Sequence, residues 1–420
     1  MIQLSFLGGI ASIGASGILV DTGLEKIVLD YGTKVREAPP MFPIPVEGKI
    51  DALLLTHAHL DHSGGIPLFA SKGNGCPIYA LNCTKDLTEL LLNDSVKIGH
   101  EEGIDLPFNK QDVKNTIKSF VSTNYRKPFK VGKTTVTYFD AGHIPGSAMV
   151  HLDTGENSLL YTGDLNTVDT RLIERADEDL PEIDYLITES TYAQREHPDR
   201  KDQERQLVEI VNETVSGHGI ALISGFAISR LQEILLILHK HGIDYPVFMD
   251  GMAKKATTII NDYKNLLRES NGLDKALKFV KYVASDNQRK KVIRQPCAIL
   301  TTSGMLNGGP IVWYLKKLYD DRKGSLIFTG YQTEDTPGKI LLETGRYITK
   351  ETNIEVRMLV KRLDFSAHIG RSELLRFIDK INPKKIFCMH GDHTEEFATE
   401  LQEKGFDATA PVANNRIFNL

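Results

Sequence analysis

The chain has 420 residues, which is too long for one ordinary core and predicts two or three domains of roughly 150 residues each. Hydrophobic residues make up 41% of the chain and charged residues 25%, a globular balance that excludes a disordered or fibrous protein. The formal net charge of -5 excludes a global positive field, so that any binding to nucleic acid must be local.

The first 192 residues are predicted to be rich in strands. Short apolar segments alternate with glycine turns through the first 60 residues, and leucines at helical spacing predict a helix over residues 83–99. Strands return in the segments TTVTYFDAGH, SAMVHLD, SLLYTGD and DYLITEST. Paired strands with helices outside them indicate a sandwich of sheets covered by helices.

The pattern changes after about residue 192. A charged, proline-bearing stretch leads into alternating strands and helices, beginning with QLVEIVNETV and GIALISG and continuing to about residue 350. This βαβ alternation predicts a parallel sheet with crossover helices. The last 70 residues return to separate strand and helix units.

The sequence carries no sign of export or membrane insertion. Its first residues lack the basic segment and unbroken apolar stretch of an export signal, and no segment approaches about 18 consecutive apolar residues. The four cysteines are irregularly spaced, which argues against a disulfide framework and against a thiolate zinc site. We therefore expect a cytoplasmic protein with no membrane partner.

The strongest chemical feature is the segment THAHLDH at residues 56–62, directly after an apolar strand. Histidines two apart on an extended segment point the same way, so that His57 and His59 can bind one ion. Asp61 and His62 then turn with the chain toward a second ion. Imidazole and carboxylate ligands without cysteine favour zinc, with manganese or iron as replacements. A solvated histidine-rich turn is the alternative interpretation.

One segment cannot complete two coordination shells, so further ligands are expected at the ends of later strands. His143, Asp164 and His390 each follow an apolar strand and lie beside a glycine. One such residue would be a weak signal, since an isolated histidine at a strand end is usually a surface or core residue. Their recurrence together with residues 56–62 predicts a shared metal centre.

These motifs carry a family resemblance. HAHLDH, GHIPGS and YTGD resemble the metal-binding motifs of the metallo-β-lactamase fold, an αββα sandwich with a dinuclear site at one edge. Glu189 in LITESTY, His368 in DFSAHIGR and His390 in CMHGD resemble three motifs of the β-CASP nucleases, in which an inserted domain interrupts that fold. Within this family the chain is most similar to prokaryotic homologues of the nuclease subunit of the cleavage and polyadenylation specificity factor, without the KH region of larger archaeal members.

The resemblance implies the domain organisation and the chemistry. We expect an α/β protein with a lactamase-like αββα domain over residues 1–192 and 351–420, and an inserted α/β β-CASP domain with a parallel sheet over residues 193–350. The implied activity is zinc-dependent hydrolysis of RNA by hydroxide attack between two Zn²⁺ ions, with Mn²⁺ as a replacement, in RNA processing or decay. The implied ligands are His57, His59 and His143 for the first ion, Asp61, His62 and His390 for the second, and Asp164 as the bridge.

The resemblance also assigns the residues around the metals. His368 is the expected general acid, Glu189 would orient it, and Asp30 would hydrogen-bond to a ligand histidine. An ordinary strand-end carboxylate is the alternative for Glu189, and a plain turn aspartate is the alternative for Asp30. Contacts to single-stranded RNA are expected from Arg230, Ser303, Gly304, Ser366 and Ala367, whereas the basic run at residues 289–291 is better interpreted as a solvated face.

Several alternatives remain open from sequence. Cleavage could be endonucleolytic or proceed from the 5′ end toward the 3′ end, because both modes share this chemistry. A catalytically silent scaffold subunit of an RNA-processing complex and a small-molecule metallo-hydrolase are the competing functions. Strand edges near VRMLVKRL could pair two copies into a homodimer.

Overall fold

The computed structural model describes residues 2–34, 39–73 and 75–420. The chain forms two compact units. The first comprises Met1–Asp169, Arg175–Glu196 and Ala367–Leu420, and the second comprises Thr170–Glu174 and His197–Ser366. The sequence predicts that the inserted domain ends at residue 350. The structure differs because the strand Leu359–Arg362 pairs with Ser325–Phe328 in the sheet of the second unit.

The first unit contains, among the described residues, two seven-stranded sheets. In the first sheet the strand order is β22-β1-β2-β3-β4-β5-β6. Its strands are β1 (Gln3–Gly8), β2 (Gly17–Asp21), β3 (Lys26–Tyr31), β4 (Ala52–Leu54), β5 (Ile78–Leu81), β6 (Phe120–Thr123) and β22 (Ile417–Asn419). Strands β3 to β6 are parallel, whereas β22, β1, β2 and β3 are antiparallel.

The second sheet has the order β21-β20-β11-β10-β9-β8-β7. Its strands are β7 (Phe129–Val131), β8 (Thr134–Asp140), β9 (Ala148–Asp153), β10 (Ser158–Tyr161), β11 (Tyr185–Glu189), β20 (Lys385–Met389) and β21 (Ala408–Thr409). Strands β11 and β20 are parallel and in register up to Glu189 opposite Met389. His390 therefore follows directly after this pair, and its carbonyl accepts a hydrogen bond from the Ser190 N–H at 3.3 Å.

The two sheets of the first unit pack on each other and are covered by helices. Phe6 on β1 contacts Phe387 on β20, with 5.4 Å between ring centroids. The helices are α1 (Leu60–Ser63), α2 (Ile66–Ser71), α3 (Asn82–Glu102), α4 (Lys110–Lys118), α12 (Arg371–Ile381) and α13 (Thr394–Glu403). Phe377 on α12 and Phe397 on α13 share one core cluster with strands of the second sheet, and Phe69 on α2 packs against the first sheet. The predicted αββα sandwich is confirmed.

The second unit is built on a six-stranded parallel sheet, counted over the described residues, with the order β14-β13-β15-β12-β16-β19. Its strands are β12 (Ile220–Ser224), β13 (Val247–Asp250), β14 (Val280–Tyr282), β15 (Cys297–Thr301), β16 (Ser325–Phe328) and β19 (Leu359–Arg362). The hairpin β17 (Arg346–Ile348) and β18 (Asn353–Glu355) lies outside this sheet. The central strands are buried throughout, as expected for a parallel sheet covered on both faces.

Helices connect the strands of the second unit. They are α5 (Arg200–Ser216), α6 (Arg230–Lys240), α7 (Ala253–Asp262), α8 (Gly272–Leu277), α9 (Asp286–Val292), α10 (Pro310–Leu318) and α11 (Pro337–Thr344), with a 3₁₀ turn at Lys264–Leu266. Helix α5 begins where the side chain of Asp199 accepts a hydrogen bond from the Asp202 N–H. Over the described part of the chain, none of the helices combines the length and apolar character that crossing a bilayer requires.

Candidate metal centre

The histidine-rich segment lies at the carboxyl end of β4. The chain leaves the strand after Leu54 and turns into α1, with His59 at the position preceding the helix. His57 and His62 are completely buried, and their rings lie 4.2 Å apart between centroids. The turn thus places imidazoles inside the first unit rather than in solvent, which does not fit a solvated histidine-rich turn.

The first group of side chains surrounds one oxygen of Asp164. Nε2 of His57 lies 3.3 Å and Nε2 of His143 lies 3.5 Å from Oδ2 of Asp164. Nε2 of His143 also lies 3.1 Å from Nδ1 of His59. The nearest ligand atoms of these four residues are all within 4.8 Å of one another, a spacing that a single cation can span.

A second group surrounds the other oxygen of the same carboxylate. Oδ1 of Asp164 lies 3.2 Å from Nε2 of His62 and 3.3 Å from Nδ1 of His390. Nε2 of His390 lies 3.5 Å from Oδ2 of Asp61. His62, Asp164 and His390 form one compact ligand group, and His57, Asp61 and His62 form another. Asp164 is therefore common to both halves of the centre.

The centre contains polar atoms that the described residues leave unsatisfied. Nε2 of His57, His62 and His390 and Oδ1 of Asp164 are buried, and none has a hydrogen-bond partner of acceptable geometry within the described ranges. Buried polar atoms without partners are costly, and imidazole nitrogen with carboxylate oxygen is the donor set that zinc prefers. The residues present fit a bound cation, and the cluster together with the family matches below supports metal binding.

Two of the candidate ligand histidines are oriented by hydrogen bonds to their second ring nitrogen. Nδ1 of His62 lies 2.7 Å from Oδ2 of Asp30, and Nδ1 of His143 lies 2.7 Å from the carbonyl oxygen of Ala367. A proton on Nδ1 satisfies each contact and leaves Nε2 free to face Asp164. Asp30 lies within β3 rather than in a turn, and the carbonyl of Ala367, a residue predicted to contact RNA, is committed to His143.

Asp30 is the centre of a larger network that the sequence did not indicate. Its carboxylate accepts hydrogen bonds from the N–H of Thr56 at 2.7 Å, from the hydroxyl of Thr56 at 2.8 Å and from the hydroxyl of Tyr161 at 3.0 Å. All three residues are buried. In the sequence, Thr56 and Tyr161 are marked by their positions alone, because Thr56 precedes the histidine-rich motif and Tyr161 begins the YTGD motif.

Glu189 and His368 form a pair at the edge of the same centre. Nδ1 of His368 lies 3.0 Å from Oε2 of Glu189, and Oε1 of Glu189 accepts a hydrogen bond from the Leu165 N–H at 2.6 Å. Nε2 of His368 lies 3.9 Å from Asp164, and 21% of its side chain is exposed. Asp164, Glu189 and His368 are also close enough to bind a cation themselves.

The surroundings of the site shift the pKa values of its histidines and carboxylates in different directions. Loss of hydration lowers the pKa of His59 to about 3, with a further contribution from His57, so that its ring is neutral as a metal ligand must be. Loss of hydration would also lower the pKa of His368, but the charges of Glu189 and Asp164 raise it to about 9. Burial opposes ionisation of Asp164, yet the histidines around it, His62 first, keep its pKa well below the usual range.

The other predicted RNA contacts belong to the second unit. Arg230 begins α6 and donates a hydrogen bond to the carbonyl of Thr329. Ser303 and Gly304 follow β15, and their carbonyls accept hydrogen bonds from the side chains of Ser224 and Gln332, respectively. These contacts place Arg230, Ser303 and Gly304 beyond the carboxyl ends of the parallel strands.

Two further parts of the second unit bear on the predicted RNA contacts. The N–H of Ser366 donates to Asp364 at 3.0 Å, and its carbonyl accepts from Arg200 at 3.3 Å.

In the basic run at residues 289–291, Arg289 is bound to Asp250 at 2.6 Å and to Asp286 at 2.6 Å. Arg289 therefore has a structural role, which neither a solvated face nor an RNA contact describes.

Three family descriptions match successive parts of the chain. They are a β-lactamase superfamily domain over residues 17–218, a β-CASP domain over residues 231–341 and a Zn-dependent metallo-hydrolase RNA specificity domain over residues 353–411. The order of the matches agrees with a lactamase-like fold that is interrupted by a β-CASP domain.

The chain is also similar to curated archaeal proteins along nearly its whole length. It is 39% identical to a probable RNase MJ4 of Methanocaldococcus jannaschii, over 99% of both chains. It is 32% identical to RNase aCSPSF2 of Saccharolobus solfataricus, over 99% of this chain and 85% of the relative. It is 37% identical to the transcription termination factor FttA of M. jannaschii, over 94% of this chain and 67% of the relative.

A solved structure shares the fold at low sequence identity. A crystal structure of an Enterococcus faecalis protein of unknown function superimposes with a TM-score of 0.62 at 16% identity, covering all of both chains. The family resemblance inferred from the motifs is thereby confirmed by the domain matches and by the archaeal relatives. The chain belongs to the β-CASP ribonuclease family of the metallo-β-lactamase superfamily.

Proposed function

We propose that this protein is a ribonuclease that hydrolyses RNA phosphodiester bonds with two zinc ions at the metal centre. The observation that carries the proposal is the position of Asp164. One of its oxygens faces His57 and His143, and the other faces His62 and His390, at 3.2 to 3.5 Å. A carboxylate placed in this way suits a bridge between two cations.

The ligand assignment follows from the two halves of the centre. The first ion would be held by His57, His59 and His143, the second by Asp61, His62 and His390, and both by Asp164. Manganese would also suit these ligands, because none of them is a thiolate. Two bound cations would supply a nucleophile from water near neutral pH and stabilise the negative charge of the phosphodiester.

The chain's own residues complete the chemistry. When the bond between phosphorus and the ribose oxygen breaks, the departing oxygen needs a proton, and the imidazolium of His368 can donate it from Nε2. Glu189 faces Nδ1 of the same ring and stabilises the imidazolium, in agreement with the raised pKa of His368. Asp30 keeps the proton of His62 on Nδ1, which preserves the metal-facing nitrogen.

RNA is the substrate that the family points to. The match over residues 353–411 is to an RNA specificity domain, and two of the relatives are named RNases. We expect Arg230, Ser303, Gly304, Ser366 and Ala367 to contribute contacts to single-stranded RNA. The proposal includes a cytoplasmic location and a homodimer, for which the exposed edge strand β19 is the candidate contact.

Single substitutions with a matched control test the proposal. We expect His59→Ala and Asp164→Ala to abolish cleavage of a labelled RNA, and chelation to inactivate the wild type. His393→Ala is the control, because His393 is exposed and pairs with Glu396 outside the centre. Cleavage by a chelated, metal-free sample would refute the two-ion reaction. Tight binding of two zinc ions without RNA cleavage would instead favour the silent scaffold.

The mode of cleavage needs a second experiment. One RNA is prepared with either a monophosphate or a hydroxyl at its 5′ end and is digested in parallel. Release of mononucleotides from the monophosphate form alone would establish cleavage from the 5′ end, whereas internal fragments from both forms would establish endonucleolytic cleavage.

A further inference from the structure

The loop between β1 and β2, residues 9–16, has an unusual backbone. Gly9, Ala11, Gly14 and Ala15 all have positive φ angles, of 68°, 51°, 100° and 50°. The left-handed region is costly for residues with a Cβ, so that two alanines in it indicate a conformation imposed by surrounding contacts. The loop is therefore held in a defined shape.

Both ends of this loop are bonded to the backbone of candidate ligands. The carbonyl oxygen of Gly9 accepts a hydrogen bond from the N–H of His390 at 2.8 Å. The N–H of Ser16 donates to the carbonyl oxygen of Asp61 at 2.9 Å. Asp61 and His390 come from distant parts of the chain, and their side chains face each other at 3.5 Å. The loop thus bonds to the backbone on both sides of this pair.

A larger residue at Gly9 would press on the other end of the loop. A Cβ at this position would lie 2.9 Å from Cε of Met389 and 3.1 Å from Cα of Ser16. Met389 directly precedes His390, which itself has a φ of 53°. The methyl group of Met389 can move aside, so the strain from a Cβ falls on Ser16 and on the hydrogen bond between the Gly9 carbonyl and the His390 N–H.

The ligands of the other half are held by different contacts. The N–H of His143 donates to the hydroxyl of Ser147 at 3.1 Å, and Nδ1 of His143 faces the carbonyl of Ala367. His57 lies beside Thr56, with 3.1 Å between its Nδ1 and the threonine hydroxyl. His143 is thus held by a part of the backbone separate from residues 9–16, whereas His57 and His59 share the segment 56–62 with Asp61.

We propose that residues 9–16 act as a positioning clasp for the second cation. The clasp sets the separation of Asp61 and His390 through Gly9 and Ser16, without contacting the ion. This inference rests on the proposed two-ion function. It predicts that a change in the clasp weakens one of the two ions more than the other, because His390 belongs to the second half alone and His143 is held by Ser147 and Ala367 instead.

The test compares Gly9→Ala with Gly23→Ala. Gly23 lies in the turn between β2 and β3 with a φ of 81°, and a Cβ there would meet no atom within 4 Å. The control therefore imposes similar backbone strain without a clash. Competitive chelator titration with zinc measures both binding steps. We expect Gly9→Ala to weaken one of the two binding steps by about 10–100-fold and the other step much less, while Gly23→Ala retains both affinities.

Two other results of the titration would overturn the clasp. If Gly9→Ala weakens both zinc-binding steps equally, or if it binds both ions with the affinities of the wild type, the loop has no selective effect on one ion. If the wild type binds a single equivalent of zinc, the two-ion function fails and the clasp fails with it. If the wild type binds two and Gly9→Ala also binds two normally, only the clasp fails.

Hydrogen exchange of the wild-type protein decides the matter even if Gly9→Ala does not fold. Peptides covering residues 9–16 are followed by mass spectrometry as zinc is added stepwise to the metal-free protein. We expect their exchange to slow on addition of one of the two equivalents and to stay unchanged on addition of the other. Exchange that changes at neither equivalent, or equally at both, would overturn the proposal.

Discussion

Asp30 offers the most direct test of how the metal centre is organised. The change Asp30→Asn keeps the size of the side chain and one oxygen that can accept from Thr56. It places an NH₂ group where Oδ2 now meets Nδ1 of His62 and the hydroxyls of Thr56 and Tyr161. Hydroxyls can rotate to accept, but His62 must move its proton to Nε2, which removes the lone pair that a cation requires.

The expected losses can be estimated from these contacts. A hydrogen bond to a charged group contributes about 1.5–3 kcal/mol, so the metal-free Asp30→Asn protein should be less stable by about 2 kcal/mol. In a unit of this size that corresponds to roughly 4–8 °C in melting temperature. Loss of a residue that orients a ligand lowers metal affinity by about 10–100-fold.

Thermal melting of the metal-free protein and competitive zinc titration measure the two effects separately. Tyr161→Phe is the matched control, because it removes one hydrogen bond to Asp30 and keeps the carboxylate. We expect it to cost about 1.5–3 kcal/mol and to leave zinc affinity within roughly threefold of the wild type. If Asp30→Asn also binds zinc within threefold of the wild type, Asp30 does not control the proton of His62, and the reasoning is refuted.

Three further substitutions test other parts of the molecule. His368→Ala should slow RNA cleavage by about 10²–10⁴-fold. The same variant should cleave an RNA whose 3′-bridging oxygen is replaced by sulfur at nearly the normal rate, because a thiolate leaves without a proton. Equal losses of rate on both substrates would contradict the role of His368 as general acid. Burial would raise the pKa of Glu25, but three hydrogen bonds to its carboxylate outweigh burial and lower the pKa. The ionised carboxylate therefore stabilises the fold at pH values above the unfolded pKa of about 4.5. This stabilisation is lost as the pH falls through the lower pKa of the folded protein. Urea unfolding should therefore place Glu25→Gln about 1–3 kcal/mol below the wild type at pH 7 and close to it in strong acid; an unchanged gap in acid would count against this. Arg289→Ala should cost about 1.5–3 kcal/mol, because Asp250 loses a charged hydrogen-bond donor but keeps Lys254 at 3.6 Å and the hydroxyl of Tyr314 at 3.1 Å. Lys290→Ala should change stability by less than about 0.5 kcal/mol; similar losses would contradict the structural role of Arg289.

The residues that meet at the candidate metal centre were predictable, because short sequence patterns at the ends of strands mark them. His57 and His59 follow a buried strand closely, and residues two apart on an extended chain point to the same side, whereas Asp61 and His62 lie in the short helix α1. His143, Asp164 and His390 stand at other strand ends beside glycines, and the structure brings them to the same place. Their assignment as ligands stays a prediction that metal titration must test.

The contacts around the ligands could not be predicted in the same way. Tyr161 reaches Asp30 across 131 residues of sequence, and Ala367 reaches His143 across 224. Such contacts depend on the register of strands and on the path of loops between sheets, for which no short sequence pattern exists. The boundary near Ser366 was missed for a related reason, because strand pairing rather than composition assigns β19 to its sheet.

The register of β11 and β20 also bears on how the protein is made. Glu189 is synthesised early, but its neighbour in the sheet, β20, emerges only after the whole second unit has been translated. A nascent chain that stops before Lys385 lacks both the proposed ligand His390 and the strand β20 that pairs with β11. Ribosome-bound intermediates would therefore be unable to assemble the complete centre, so that cleavage activity appears only once nearly the whole polypeptide has been made.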